Sequence, residues 1–158
     1  MAIPKHHLVA DMPTNSFATL NPFMAPGLTL VGGNLKISSA PNQYTGCLAT
    51  IAVSSGKWYF EGCLHGSEVA APDFGWNEAD ASIESLTNFT STERSGFYGI
   101  GSKGFGECNT YTNGSISEDL PEAWKWSTGT IISVYADFDS GFMKFAKDGV
   151  YHSYTVSF

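Results

Sequence analysis

Two carboxylates, Asp137 and Asp139, have the spacing of a catalytic acid pair in this sequence. Residues i and i+2 of a strand project from one face, and retaining glycoside hydrolysis needs two carboxyl groups about 5.5 Å apart. Asp139, however, falls at a predicted hairpin turn, and that hairpin is expected to set Asp137 opposite Lys144 on the outside. We therefore predict structural roles for both carboxylates and assign no catalytic residue.

Metal-binding patterns are weak. The run Asp137-x-Asp139-x-Gly141 resembles the start of a calcium loop but lacks the later ligands. His6 and His7 are adjacent on a segment predicted to be extended, so their side chains point in opposite directions and make a poor chelate. No metal and no cofactor are expected.

Charge and hydropathy disfavour two classes of partner. The formal net charge is −7, and the eight basic residues are dispersed, whereas binding to a phosphate backbone needs a basic patch. No apolar run approaches the roughly twenty residues that cross a bilayer. We expect no nucleic-acid partner and no membrane insertion. Because residues 1–17 lack the apolar segment of a secretory signal, the protein is expected to stay inside the producing cell or to leave by another route.

A central hairpin is predicted for residues 46–64, GCLATIAVSSGKWYFEGCL, around a two-residue Ser-Gly loop. In this register the facing residues sort into an apolar face and a more polar face, as the period of two in a strand requires. The apolar face carries Ile51, Val53, Trp58 and Phe60, and the polar face carries Tyr59, Glu61 and Cys63. An isolated hairpin is marginal in water, so the rest of the chain is expected to supply a second apolar layer.

The three cysteines, Cys47, Cys63 and Cys108, are predicted to be reduced thiols. Cys47 and Cys63 would lie on neighbouring strands of the central hairpin but point to opposite faces, which argues against a disulfide. No CxxC spacing is present, so a metal site is not favoured.

A three-stranded meander is predicted near the end of the chain. Residues 130–138 alternate, with Ile132, Val134, Ala136 and Phe138 on the buried side. A turn at Ser140–Gly141 is expected to set Phe138 against Met143 and Ala136 against Phe145. A second two-residue turn, at Asp148–Gly149, leads into a strand over residues 150–157.

The fold class predicted is all-β, an antiparallel two-sheet β-sandwich with essentially no helix. Further two-residue turns are expected at Gly32–Gly33 and Asn113–Gly114, and a strand is expected at 73–77. Residues 1–15 show neither helical nor strand periodicity and are predicted to be an extended arm. Residues 16–158 are then a single sandwich domain.

Four motifs, in this order along the chain, resemble the SPRY domain, a β-sandwich related to the concanavalin A-like fold. They are GKWYFEGCL (56–64), FGW (74–76), GFYGIGSKG (96–104) and TGTIISVYADFDSGFMKFAKDGV (128–150). The last motif is the most specific, and the resemblance spans about residues 16–157. DMPTNSFATLNP (11–22) and IAVSSGKWYFE (51–61) further resemble the SPRY-like modules of tailed-bacteriophage structural proteins.

The sequence departs from the family pattern in three places. Thr130 stands where the family often has Asp, and Asp148 where it often has Asn; both residues suit their expected positions at a strand start and a tight turn. The family pattern also continues to a further strand, whereas this sequence ends at Phe158. We expect either a fragment or an open sheet edge that a strand from a neighbouring virion protein closes.

The resemblance implies a ligand patch on the loops at the ends of the sandwich. The candidate residues there are Asp73, Trp76, Tyr111, Trp124 and Trp126. Aromatic rings in such loops suit contacts with a peptide or a sugar, and capping of the core is an equally good interpretation of each ring.

The function implied is a non-enzymatic structural and interaction module of a bacteriophage virion, assembled in the host cytoplasm. It would belong to a tail, a fibre or a capsid-decoration protein and contact other virion proteins, copies of itself and a host-surface glycan or protein. The alternative is a lectin-like carbohydrate-binding module for host surface glycans. A glycan hydrolase, the third interpretation, lacks a convincing acid and base.

Overall fold

The computed structural model describes residues 17–39, 45–65, 73–78, 96–102 and 108–158, and the predicted arm over residues 1–15 lies outside them. Within these ranges the chain forms strands and two short 3-10 turns, and no α-helix. The strands are β1 (Thr29–Val31), β2 (Lys36–Ser39), β3 (Lys57–Cys63), β4 (Asp73–Asn77), β5 (Phe97–Ser102), β6 (Cys108–Thr112), β7 (Ser115–Asp119), β8 (Ile131–Asp137), β9 (Phe142–Lys147), β10 (Val150–Tyr151) and β11 (Val156–Ser157). The 3-10 turns are Pro22–Met24 and Glu122–Trp124.

The strands form three antiparallel sheets. One five-stranded sheet has the order β10-β9-β8-β3, with β11 also paired to β9; one four-stranded sheet has the order β4-β5-β6-β7. The two-stranded β1-β2 hairpin is separate. The two larger sheets pack face to face, so the predicted all-β sandwich is confirmed.

The core lies between the two larger sheets. In β8 the alternate residues Ile132, Val134 and Ala136 are fully buried, as their period of two predicts. Phe145 of β9 is buried beside them, while Ile100 of β5 contributes from the opposite sheet. Aromatic rings extend this apolar layer, because such large side chains fill the space between two pleated surfaces.

The predicted central hairpin over residues 46–64 is wrong. Strand β3 pairs along its whole length with β8, from Lys57 opposite Asp137 to Cys63 opposite Ile131. Residues 51–53 are not in a strand, and Ala49 makes only an isolated bridge to Leu20. In this pairing Phe60 lies opposite Val134, and a period-two pattern specifies which face is buried without specifying the partner strand.

The buried faces were predicted with mixed success. Phe60 packs against the core and Ile51 is half-buried, whereas Trp58, expected on the apolar face, is 40% exposed. The Trp58 indole nitrogen donates instead to the carbonyl of Ser55, 2.8 Å away, at the open end of β3. The predicted polar side of β3 is confirmed, since Tyr59 and Glu61 are exposed.

Two of the predicted two-residue turns are confirmed. Asn113–Gly114 joins β6 to β7 and Asp148–Gly149 joins β9 to β10, with positive φ at all four residues. Such turns match the twist of the flanking strands and favour Asn-Gly and Asp-Gly pairs. The β1-β2 hairpin also forms, but because Val31 pairs with Lys36 its loop spans residues 32–35 instead of Gly32–Gly33 alone.

The predicted register of β8 on β9 is wrong by two residues. Asp137 pairs with Phe142, so the loop between the strands spans residues 138–141. An Asp137 carboxylate oxygen accepts a hydrogen bond from the Ser140 backbone nitrogen at 3.0 Å, which stabilises this longer loop. A shift of two leaves the buried faces unchanged.

The predicted strand over residues 150–157 is interrupted. It forms the two short strands β10 and β11, which both pair with β9. Between them the Tyr154 backbone nitrogen donates to His152 Nδ1 at 3.0 Å. This local bond takes up a backbone donor at the interruption, just after the His152 backbone nitrogen donates to the Phe145 carbonyl of β9 at 2.9 Å.

Candidate binding surface

The five predicted ligand residues do not share one set of loops. Asp73 and Trp76 lie in β4 and Tyr111 lies in β6, so their expected placement on loops is wrong. Trp124 closes the second 3-10 turn, and Trp126 follows it. The structure therefore places these residues on three different elements of the sandwich.

The three tryptophans among them face the core. Trp124 is 8% exposed, and Trp76 and Trp126 are half-buried against the buried cluster. Their ring partners are Phe60 at 5.8 Å and Phe138 at 5.1 Å for Trp76, His152 at 4.9 Å for Trp124 and Phe74 at 5.8 Å for Trp126. These contacts favour the interpretation that the rings cap the core.

Asp73 and Tyr111 lie on the other side of the four-stranded sheet, around Gly101. A Cβ atom at Gly101 would lie 1.7 Å from Asp73 Oδ1 and 2.9 Å from Tyr111 Cε2, so a glycine is required there. Tyr111 is only 3% exposed and its ring contacts Phe97. The ligand-binding role of all five residues stays a prediction.

A different surface is exposed and rich in aromatic groups: the side of the five-stranded sheet that faces away from the core, called here the outer face. Residues directly opposite each other on antiparallel strands project from the same side. One row across the sheet reads Tyr59, Tyr135, Lys144. The next row reads Glu61, Ser133, Ala146, Tyr151.

On the outer face, the large side chains are exposed to solvent and the small ones between them are not. Tyr59 is 54% exposed and Tyr151 is 60% exposed, whereas Ser133 and Ala146 between them are buried. Three inter-strand spacings separate β3 from β10, a distance of about 14 Å. Tyrosine rings and polar groups are thus spread over a broad surface.

Hydrogen bonds fix the polar part of the outer face. The Tyr59 hydroxyl and the Ser133 hydroxyl, the latter at 3.1 Å, both donate to Glu61 Oε1. Glu61 Oε2 has no hydrogen-bond partner among the described residues. The hydrogen bond to the Glu61 carboxylate raises the pKa of the Tyr59 phenol above its ordinary value.

The charges of the outer face balance. Lys57 and Asp137 form an ion pair, with Lys57 Nζ and Asp137 Oδ2 3.5 Å apart. Lys144 Nζ lies 5.5 Å from the centre of the Phe142 ring, a cation–π arrangement. Together with Glu61, the face therefore carries two cations and two anions.

The carboxylates singled out for their spacing have structural partners. Asp139 Oδ1 accepts a hydrogen bond from the Gly56 backbone nitrogen at 2.8 Å. Burial alone would raise the pKa of Asp137, but the Ser140 backbone hydrogen bond and the Lys57 charge outweigh it and lower the pKa. The predicted pairing of Asp137 with Lys144 is wrong, because Lys144 lies opposite Tyr135.

The three cysteines are free thiols, as predicted. Cys63 is exposed on the outer side of β3, Cys47 is half-buried and Cys108 is buried. Burial raises the pKa of Cys108 to about 11, and its sulfur donates to the Trp124 carbonyl at 2.8 Å. In the described part of the chain, no three His, Cys, Asp or Glu side chains come together as metal ligands, and the His6–His7 pair lies outside that part.

No protein-family model matches the chain, and no curated protein is significantly similar to it. Among the residues that the structure describes, no helix has the length and apolar character of a membrane span.

Proposed function

We propose that this chain is a non-enzymatic structural and interaction module of a bacteriophage virion, in a tail, fibre or capsid-decoration protein. The resemblance to SPRY-like phage modules suggests the virion. The observation that carries the binding role is the outer face, where Tyr59 and Tyr151 are more than half exposed. Exposed aromatic groups of this kind are enriched in binding surfaces.

Two further features support contacts with virion proteins or other copies of the chain. Among the described residues β3 pairs with β8 alone, and a free strand edge can accept a strand from a neighbour. Near the β1-β2 hairpin, Phe23 and Leu35 are 85% and 70% exposed, which suits an apolar contact.

Electron microscopy of virions tests this proposal directly. An antibody raised against the purified chain should label particles at one structural position, with pre-immune serum as the control. Mass spectrometry of the purified particles should also detect the chain. Particles that lack the chain and bind no antibody would refute the virion assignment.

A carbohydrate-binding module is the second candidate, and the three tyrosines of the outer face favour it. A glycan array separates this candidate from a purely structural role. Trp124→Ala is unsuitable for that comparison because Trp124 is buried, and its loss would destabilise the fold. Substitutions of exposed outer-face tyrosines avoid this problem.

A hydrolase remains the weakest of the candidate functions. The hydrogen bonds of Asp137 to Ser140 and of Asp139 to Gly56 support structural roles for these carboxylates. Incubation with bacterial polysaccharide should release no new reducing ends. Release that Asp137→Asn abolishes, with the fold intact, would contradict the non-enzymatic proposal.

A further inference from the structure

The outer face combines ring surfaces with a hydrogen-bond acceptor. Tyr59 and Tyr135 are directly opposite on β3 and β8, and Tyr151 lies at the far side of the sheet. The Glu61 carboxylate stands beside Tyr59 and keeps Oε2 without a partner among the described residues. A pyranose presents the matching chemistry, since its C–H surface packs on aromatic rings and its hydroxyls donate to carboxylates.

The polarity of this surface favours a sugar over a dry protein interface. Glu61 lies among the tyrosines, and burying its carboxylate against apolar side chains would leave a charge without compensation. Ile131, at the start of β8, is the one aliphatic residue that β3 and β8 place on the outer face. Hydroxyl groups of a glycan would instead satisfy the free oxygen while leaving the site hydrated.

The balance of charge narrows the ligand class. Lys57 and Lys144 offset Asp137 and Glu61 on the outer face, while the whole chain carries a formal charge of −7. No local excess of positive charge attracts an acidic polysaccharide. The separation of about 14 Å between β3 and β10 suits several consecutive sugar residues.

We propose that the outer face of the five-stranded sheet binds a neutral glycan, which packs on Tyr59, Tyr135 and Tyr151 and donates a hydroxyl hydrogen bond to Glu61. This inference deepens the proposed binding function by naming a site and a ligand class, and it rests on that function. It moves the ligand from the predicted loop residues to a sheet face.

Isothermal titration of the purified chain tests the site. The probes are five neutral hexasaccharides: cellohexaose, laminarihexaose, maltohexaose, mannohexaose and N-acetylchitohexaose. We expect at least one to bind with a Kd between micromolar and millimolar. Tyr59→Ala and Tyr151→Ala should each weaken that binding about ten-fold, which corresponds to about 1.4 kcal/mol.

The matched control is Phe17→Ala, which removes a 69% exposed ring that lies outside the sheets and should leave glycan binding unchanged. Circular dichroism and thermal unfolding of each variant establish that the fold is retained. Glu61→Gln should also weaken binding, because a charged acceptor becomes a neutral one.

Three results would overturn the inference. The first is that none of the five hexasaccharides binds at millimolar concentration. The second is that Tyr59→Ala and Tyr151→Ala, although folded, bind the hexasaccharide as tightly as the unchanged protein. The third is that the protein forms a dimer and that Tyr59→Ala dissociates it. The last result would assign the face to a second copy of the chain. If the chain is found in virions but binds no glycan, this inference is refuted and the proposed virion function is not.

Discussion

Replacing Gly62 by alanine should destabilise the protein, although the same change in an open strand position ordinarily stabilises by about 0.5–1 kcal/mol. Gly62 lies in β3 and faces the opposite sheet. An added Cβ atom would lie 2.1 Å from Cε1 and 2.7 Å from Cζ of the Phe74 ring. Normal carbon contacts begin near 3.5 Å, so the ring would have to move by about 1.4 Å.

The Phe74 ring has little freedom to move, because Trp126 packs against it at 5.8 Å between centroids. Overpacking of a core costs about 1–3 kcal/mol, and a displacement as large as about 1.4 Å places Gly62→Ala in the upper part of that range, at about 2–3 kcal/mol. Subtracting the ordinary gain of up to about 1 kcal/mol leaves a net loss of about 1–2 kcal/mol. For a domain of this size that loss lowers Tm by about 2–8 °C.

Thermal and urea unfolding of four variants measure this effect. Cys63→Ala, on the exposed side of the same strand, is the matched control and should change stability by less than about 0.5 kcal/mol. Phe74→Leu makes room for the added methyl group, so the double variant should be more stable than the sum of the two single changes by about 1 kcal/mol. A neutral or stabilising Gly62→Ala, or strict additivity, would refute the close packing of β3 against β4.

Three other predictions follow from individual contacts. Asp137 has a lowered pKa, so its contribution to stability is present above its ordinary pKa of 3.8 and is lost as the pH falls through the pKa of the folded protein. Asp137→Asn should therefore flatten the acid side of a plot of unfolding free energy against pH, and an unchanged plot would contradict this. Iodoacetamide should alkylate the exposed Cys63 under native conditions and the buried Cys108 only after unfolding. Peptide mass spectrometry can follow both reactions, and early labelling of Cys108 would show that this thiol is accessible. Asp148 adopts φ 48° and accepts a hydrogen bond from the Ile131 backbone nitrogen at 2.9 Å. Asp148→Ala should therefore lower the free energy of unfolding in urea by about 1–2 kcal/mol, and Asp148→Asn should lower it far less. Equal losses would argue against this turn geometry.

Features of the fold that depend on local sequence were predictable. The turns at Asn113–Gly114 and Asp148–Gly149 follow from residues that tolerate positive φ, and the buried side of β8 follows from alternation. The partner of β3 was not predictable, because Phe60 can face Ile51 or Val134 with the same apolar pattern. Long-range pairing depends on how the whole sandwich packs, which a local period cannot encode.

The outer face was only partly predictable for the same reason. Alternation assigned Tyr59 and Glu61 to the polar side of β3, and both are exposed. Nothing in the local sequence places them beside Tyr135 and Tyr151, which are distant in the chain and join the face only through β8, β9 and β10. The three candidate tryptophans, Trp76, Trp124 and Trp126, have a large apolar area and pack against the core instead.

The pairing of β3 with β8 underlies both the sandwich and the outer face, and nuclear Overhauser effects measure it most directly. Assigned spectra of the labelled protein should show cross-strand contacts between Tyr59 and Tyr135 and between Phe60 and Val134. Contacts between Phe60 and Ile51, as in a local hairpin over residues 46–64, would contradict the account and remove the tyrosine surface with it.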